Sequence, residues 1–278
     1  MFLGAHESIA SGIHKSIVRA YEDGCESLQI FVKNANRWLI KPINCEIKEK
    51  FINEAKKFGI DRICAHSTYL INLASINEVI YKKSIECYEK ELAMCDELQI
   101  PYYVIHPGSF KNSTLKEGIA RVSQSIKSVY EKNNYNVMTL LETTAGQGSS
   151  IGYKLEHLSE IIYNNPYEKK LGICLDTCHL YAAGYDIVKK YDEIIEEILL
   201  NFIEKCKVIH INDTKVDCNS KKDRHERIME GNLGKEFFEK LINDKRFANV
   251  LGILETEKDP DKSYKDQVSF LKSLRRSL

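Results

Sequence analysis

Six short apolar runs in this chain each stop on a potential metal donor. Residues 62–66, 102–106, 137–142, 171–176, 206–210 and 250–255 end on His66, His106, Glu142, Asp176, His210 and Glu255. Runs of this length, rich in Val, Ile and Leu with no polar alternation, read as strands buried on both faces of a parallel sheet. A polar donor at the C-terminal end of one such strand is a common functional placement. The same placement on six strands predicts several strands aimed at one site.

Two further strand-like runs, 2–5 and 27–32, precede the six and make eight. Helical patterns lie between them. Stretches 10–23 and 46–58 stop at Gly24 and Gly59, which suit left-handed helix ends. Ser75 with Glu78 and Thr114 with Glu117 have capping-box spacing at the start of helices. Stretches 187–204 and 235–243 are amphipathic, and 263–276 reads as a closing helix. Strand starts recur about every 35 residues, as in a (β/α)8 TIM barrel, which needs about 250 residues. The expectation is one α/β barrel unit over 1–278 with its donors at the C-terminal face of the strands. An open doubly wound sheet is the alternative, but it gathers ligands at a single switch point.

Composition narrows the function. Forty Lys and Arg balance forty Asp and Glu, so no global field draws nucleic acid, and affinity for it would depend only modestly on salt. Nine Cys form no paired framework, no leader is read at the start, and no apolar run approaches a membrane span. The expectation is an intracellular, cytoplasmic protein with free thiols and no membrane contact. Cys64 and Cys174 stand two residues before His66 and Asp176 on the same strand face, where a small thiol fills space beneath the site.

The donor set grows with His179, three residues after Asp176, and with Asp223 and His225 in a loop segment. Nine nitrogen and oxygen donors without a thiolate suit Zn, Mn or Fe and exceed what one tetrahedral ion needs. Any one of these residues alone reads more readily as a cap or a surface group; their convergence carries the metal reading. His6, ending the first strand, is expected to orient a ligand. His14 and His157 are expected on the surface.

Gly4-Ala5-His6, His66-Ser67-Thr68-Tyr69-Leu70, His106-Pro107-Gly108, Glu142-Thr143-Thr144-Ala145-Gly146-Gln147-Gly148, Asp176-Thr177-Cys178-His179, His210-Ile211-Asn212-Asp213 and Asp223-Arg224-His225 resemble, in order, the motifs of endonuclease IV. These are zinc-dependent apurinic/apyrimidinic endonucleases on a TIM barrel, and the resemblance runs from Phe2 to about Glu255. It implies three Zn2+ per chain, with Mn2+ admissible at one position. His66 and His106 would hold the first ion and Glu142 would bridge it to the second. Asp176, His210 and Glu255 would complete the second, and His179, Asp223 and His225 would hold the third. It also implies DNA repair by hydrolysis 5′ to an abasic site in duplex DNA, with a metal-bridging hydroxide as nucleophile and 3′-hydroxyl and 5′-deoxyribose phosphate products. A monomer is the family-like expectation.

An abasic nucleotide must leave the helix to reach recessed donors. Tyr69 and Leu70, directly after the third strand, have the chemistry of a wedge. The 33–38 segment follows the second strand and offers Asn34 and Arg37; the family commonly carries Arg where this chain has Asn36, so the cation stands one place later. Trp38 is expected to pack that loop on the barrel. Lys221, Lys222 and Arg224 flank the third donor set and are expected to meet phosphates. The competing function is a metal-dependent sugar isomerase or epimerase on the same barrel, which would use Glu142, Asp176, His210 and Glu255 and leave five donors without a task. A binding protein without catalysis is a more distant third.

Overall fold

The computed structural model describes residues 1–202, 204–256 and 263–276. Position 203 of the expected 187–204 helix and positions 257–262 and 277–278 of the expected 1–278 unit lie outside these residues. The first seven strands are β1 (Phe2–His6), β2 (Ser27–Phe31), β3 (Ile63–His66), β4 (Tyr102–Ile105), β5 (Met138–Glu142), β6 (Leu171–Asp176) and β7 (Cys206–His210). Two-residue strands β8 (Asp213–Thr214) and β9 (His225–Glu226) pair antiparallel with each other, and β10 (Leu251–Leu254) follows. β1 to β7 and β10 form a closed parallel barrel, sealed by β1 pairing with both β2 and β10. Closure removes the open-sheet alternative.

Helices follow the strands: α1 (Lys15–Glu22), α2 (Cys45–Phe58), α3 (Glu78–Glu97), α4 (Leu115–Lys132), α5 (Leu155–Tyr163), α6 (Thr177–Ala183), α7 (Tyr191–Phe202), α8 (Gly234–Asn243) and α9 (Tyr264–Ser273). Local chemistry sets several boundaries. Thr114 and Glu117 form the expected capping box of α4, and α2 stops at Gly59 with φ 69°. The expected cap at Ser75 is displaced: Asn77 caps α3, its side chain accepting from the Val79 and Ile80 N–H groups. The expected 10–23 helix begins only at Lys15, because Ser11 and Gly12 have φ of 66° and 120°, which no right-handed helix admits. The amphipathic 187–204 stretch becomes helical at Tyr191.

Large apolar side chains fill the layer between barrel and helices, Tyr88, Tyr103, Phe51 and Phe202 among them. A smaller cluster, including Cys64, Val104, Leu140, Cys174 and Val208, plugs the barrel interior. Cys64 and Cys174 thus fill the space expected of them. Burial pushes the Cys64 thiol well above its ordinary range and that of Cys174 up to about 12, so both remain neutral. Among the described residues no helix is long and apolar enough to cross a membrane.

Candidate metal centre

The strand ends bring the donors together by register. Asp176 pairs with His210 across β6 and β7, and His66 and Glu142 close β3 and β5. β6 runs directly into α6 through Asp176, whose side chain caps the helix by accepting from the His179 N–H at 2.7 Å. One residue thereby ends a strand, starts a helix and fixes the next donor. Asp223 and His225 arrive on the excursion between β7 and α8, where Thr214 of β8 pairs with His225 of β9. Asp213, buried at the root of this excursion, accepts from the backbone N–H groups of Thr214, Met229, Gly231 and Leu233. A Cβ at Gly231 would come within 2.5 Å of the Asp213 carboxylate, so the turn requires glycine.

Glu142 is fully buried and divides its two oxygens. Oε2 lies 3.0 Å from His66 Nε2 and 2.9 Å from His106 Nε2. Oε1 lies 3.1 Å from His210 Nδ1, which is itself 3.0 Å from Glu255 Oε2 and 3.8 Å from Asp176 Oδ2. In the third group His179 Nε2 is 3.2 Å from Asp223 Oδ2, and His225 Nε2 is 3.4 Å from both Asp223 Oδ1 and His179 Nε2. His225 Nε2 is also 3.4 Å from Asp176 Oδ2. All nine predicted donors meet in these three groups. His66, His106, Glu142, His179, Asp223, His225 and Glu255 line a cavity of about 360 Å³ together with His6, Phe31, Tyr69 and Tyr264.

The chemistry of the donors fits metal ions. In three imidazoles one ring nitrogen is held by a fixed acceptor: His66 Nδ1 at Ser67 O (2.8 Å), His179 Nδ1 at Thr143 O (2.8 Å) and His210 Nε2 at Gln29 Oε1 (2.9 Å). The other nitrogen faces the cluster, the arrangement that selects the metal-binding tautomer. Burial alone would raise the Glu142 and Glu255 carboxyls, but the neighbouring imidazoles hold both well below the carboxylate range. Burial likewise opposes charge on His179 and His210, yet the surrounding acidic groups lift both well above the imidazole range. Burial would also raise Asp223, and His179 brings it down to about 2. So many opposed charges in a buried space would be costly without cations to organise them, and a bound metal takes the place of the imidazole protons.

His6 has Nδ1 3.4 Å from Glu255 Oε1, and its buried Nε2 has no hydrogen-bond partner among the described residues. Gln29 and Asn212 escaped the sequence reading. Gln29 reaches His210, Glu255 and His6, while Asn212 donates to Asp176 Oδ2 at 2.7 Å and accepts from the Glu255 N–H. His157 corrects its surface expectation: it is buried on α5, and its Nδ1 accepts from the Gly152 N–H. His14 is half-buried ahead of α1.

Of the expected DNA-contacting residues, Tyr69 lines the mouth of this cavity. Tyr69 is 72% exposed and meets Phe31 edge-on, and Leu70 beside it is half-buried. Asn34, Arg37 and Arg224 are exposed, and Trp38 packs on the core as expected. The Lys221 ammonium binds the Ala183 carbonyl and lies over the Tyr153 ring.

The sequence and fold have clear relatives. Residues 17–274 match the family described as xylose isomerase-like TIM barrel. The chain is 43% identical to the probable endonuclease 4 of Chloroflexus aurantiacus over 93% of this chain and 92% of that one. It is 38% identical to the probable endonuclease 4 of Trichlorobacter lovleyi over 100% and 99%. The solved endonuclease IV of Thermus thermophilus superposes with a TM-score of 0.88 at 26% identity, covering 99% of this chain and 98% of that one. A D-tagatose 3-epimerase-like protein shares the fold at 20% identity and a TM-score of 0.76, covering 99% and 97%. The chain therefore belongs to the endonuclease IV family within the xylose isomerase-like TIM barrels.

Proposed function

We propose that this protein is a DNA-repair hydrolase that cuts the phosphodiester 5′ to an abasic nucleotide in duplex DNA, leaving a 3′-hydroxyl and a 5′-deoxyribose phosphate. The observation that carries this reading is the division of Glu142 between two donor groups, with the His179, Asp223 and His225 group beside them. His66, His106 and Glu142 would hold one Zn2+, Glu142, Asp176, His210 and Glu255 a second, and His179, Asp223 and His225 a third, with Mn2+ acceptable at one. When bound, such ions supply Lewis-acid charge for the phosphate oxygens and lower the pKa of water.

The chain's own residues do the rest. Gln29, Asn212 and the Ser67 and Thr143 carbonyls keep the donors oriented before substrate arrives. The recess admits only a nucleotide that has left the stack. Tyr69 and Leu70 would fill the gap it leaves, and Asn34, Arg37 and Arg224 would hold the flanking strands as exposed donors. A sugar isomerase would leave His66, His106, His179, Asp223 and His225 without a task. The protein is taken to act as a monomer inside the cell.

The test is incision of a duplex carrying one abasic analogue, with metal analysis of the same sample. Cleavage 5′ to the lesion with about three ions per chain supports the proposal. No incision, with one or two ions bound, overturns it in favour of sugar isomerisation.

A further inference from the structure

A second buried charged cluster contains none of the metal donors. Glu91 of α3 is fully buried, and Lys33, two residues past β2, is nearly so; Lys33 Nζ lies 3.3 Å from Glu91 Oε1. The same carboxylate accepts from Thr68 N–H (3.2 Å), Thr68 Oγ1 (3.0 Å), the Tyr103 hydroxyl (2.8 Å) and the Cys87 thiol (3.2 Å). The Lys33 ammonium turns the other way as well, donating to the carbonyls of Arg37 (2.5 Å) and Asn34 (3.3 Å).

One ion pair therefore grips the 33–38 loop through Lys33 and the 67–70 loop through Thr68, the residue before Tyr69. Such a pair is weak evidence of added stability, because apolar residues of similar volume often replace a buried ion pair without loss. What an apolar pair would not supply is directional bonds to both loops from one anchor.

We propose that Lys33 and Glu91 are positioning residues that lock these two loops together, so that Arg37 and Tyr69 meet the substrate as one rigid surface. The inference rests on the DNA reading above for what the loops grip; the lock itself is independent of that reading. Holding both loops in the bound geometry beforehand removes an ordering cost from binding.

The test is the uncharged double variant Lys33→Met/Glu91→Gln, which avoids leaving either charge buried alone. Hydrogen exchange should show backbone amides of 34–38 and 67–70 losing protection together while barrel amides hold. Affinity for an abasic-analogue duplex should fall about tenfold or more, with turnover of the small phosphodiester bis(4-nitrophenyl) phosphate unchanged.

Protection lost in only one loop, or unchanged abasic-duplex affinity with both loops loosened, overturns the proposal. Wild-type protein indifferent to abasic DNA would sink the proposed function instead, and the exchange data would still decide the lock. Should the double variant fail to fold, Thr68→Val removes one donor and keeps both charges. It should alter the emission of Trp38, the chain's single tryptophan, on the opposite loop. Unaltered Trp38 emission overturns the lock.

Discussion

Gln29 Oε1 lies 2.9 Å from His210 Nε2, on the side of the imidazole away from the donor cluster. That contact holds the ring N–H and leaves Nδ1 directed at Glu142 and Glu255. The Gln29 amide nitrogen lies 2.5 Å from Glu255 Oε1, so one neutral side chain orients two donors of the same group.

Gln29→Leu should therefore weaken the ion held by His210 and Glu255 about 10–100-fold and leave the barrel folded. Competition with a chelator, followed by metal analysis, measures this directly. Metal retention equal to wild type would show that the strand ends alone hold His210 in place.

Glu142→Gln keeps the size of the side chain and removes the charge shared between two donor groups. Abasic-duplex incision should fall by about 10³-fold or more, since charge stabilisation of this kind is worth several kcal/mol. Circular dichroism should be unchanged. A variant that kept most activity at equal metal loading would remove the shared role from Glu142.

Tyr69 is exposed at the mouth, supported by an edge contact to Phe31 with ring centroids 5.3 Å apart. Tyr69→Ala should weaken binding of an abasic duplex about tenfold, as expected for loss of one aromatic stacking surface. Unfolding free energy should change by about 0.5 kcal/mol or less, as for a surface substitution. Equal affinities of variant and wild type would make Tyr69 a bystander.

The barrel was legible because its strands are short, buried on both faces and stopped by a donor, a pattern that does not depend on tertiary detail. Gln29 was not, because it sits inside the apolar run 27–32 and only the register with His6 and Cys64 turns it toward the donors. The β8–β9 pair has two residues per strand, too few for any periodicity, although the donors it carries were visible by type. Ser75 and Asn77 are both good caps two positions apart, and only the backbone path chose Asn77. His157 carried no burial signal, since its bond to Gly152 depends on the fold of the preceding turn.

Away from the site, Glu26 clasps the two ends of the described chain. It accepts from the Leu3 N–H at 3.0 Å and from both terminal nitrogens of Arg275 at 2.8 and 2.6 Å, while Arg275 also reaches the Met1 carbonyl. Burial would raise the Glu26 carboxyl, but Arg275 and the Leu3 N–H bring it from 4.5 down to about 2. A carboxyl lowered on folding contributes stability above its unfolded pKa, and that contribution is lost as pH falls from about 4.5 through about 2. Because Arg275 is solvent-exposed, screening reduces the contribution to about 1–2 kcal/mol at pH 7. Glu26→Gln should lower unfolding free energy in urea by about that amount at pH 7. The difference from wild type should shrink to less than about half at pH 3. Comparing the two proteins at each pH cancels the protonation of the metal donors, which they share. A difference that stayed constant from pH 7 to pH 3 would mean that Glu26 acts through packing and not through its charge.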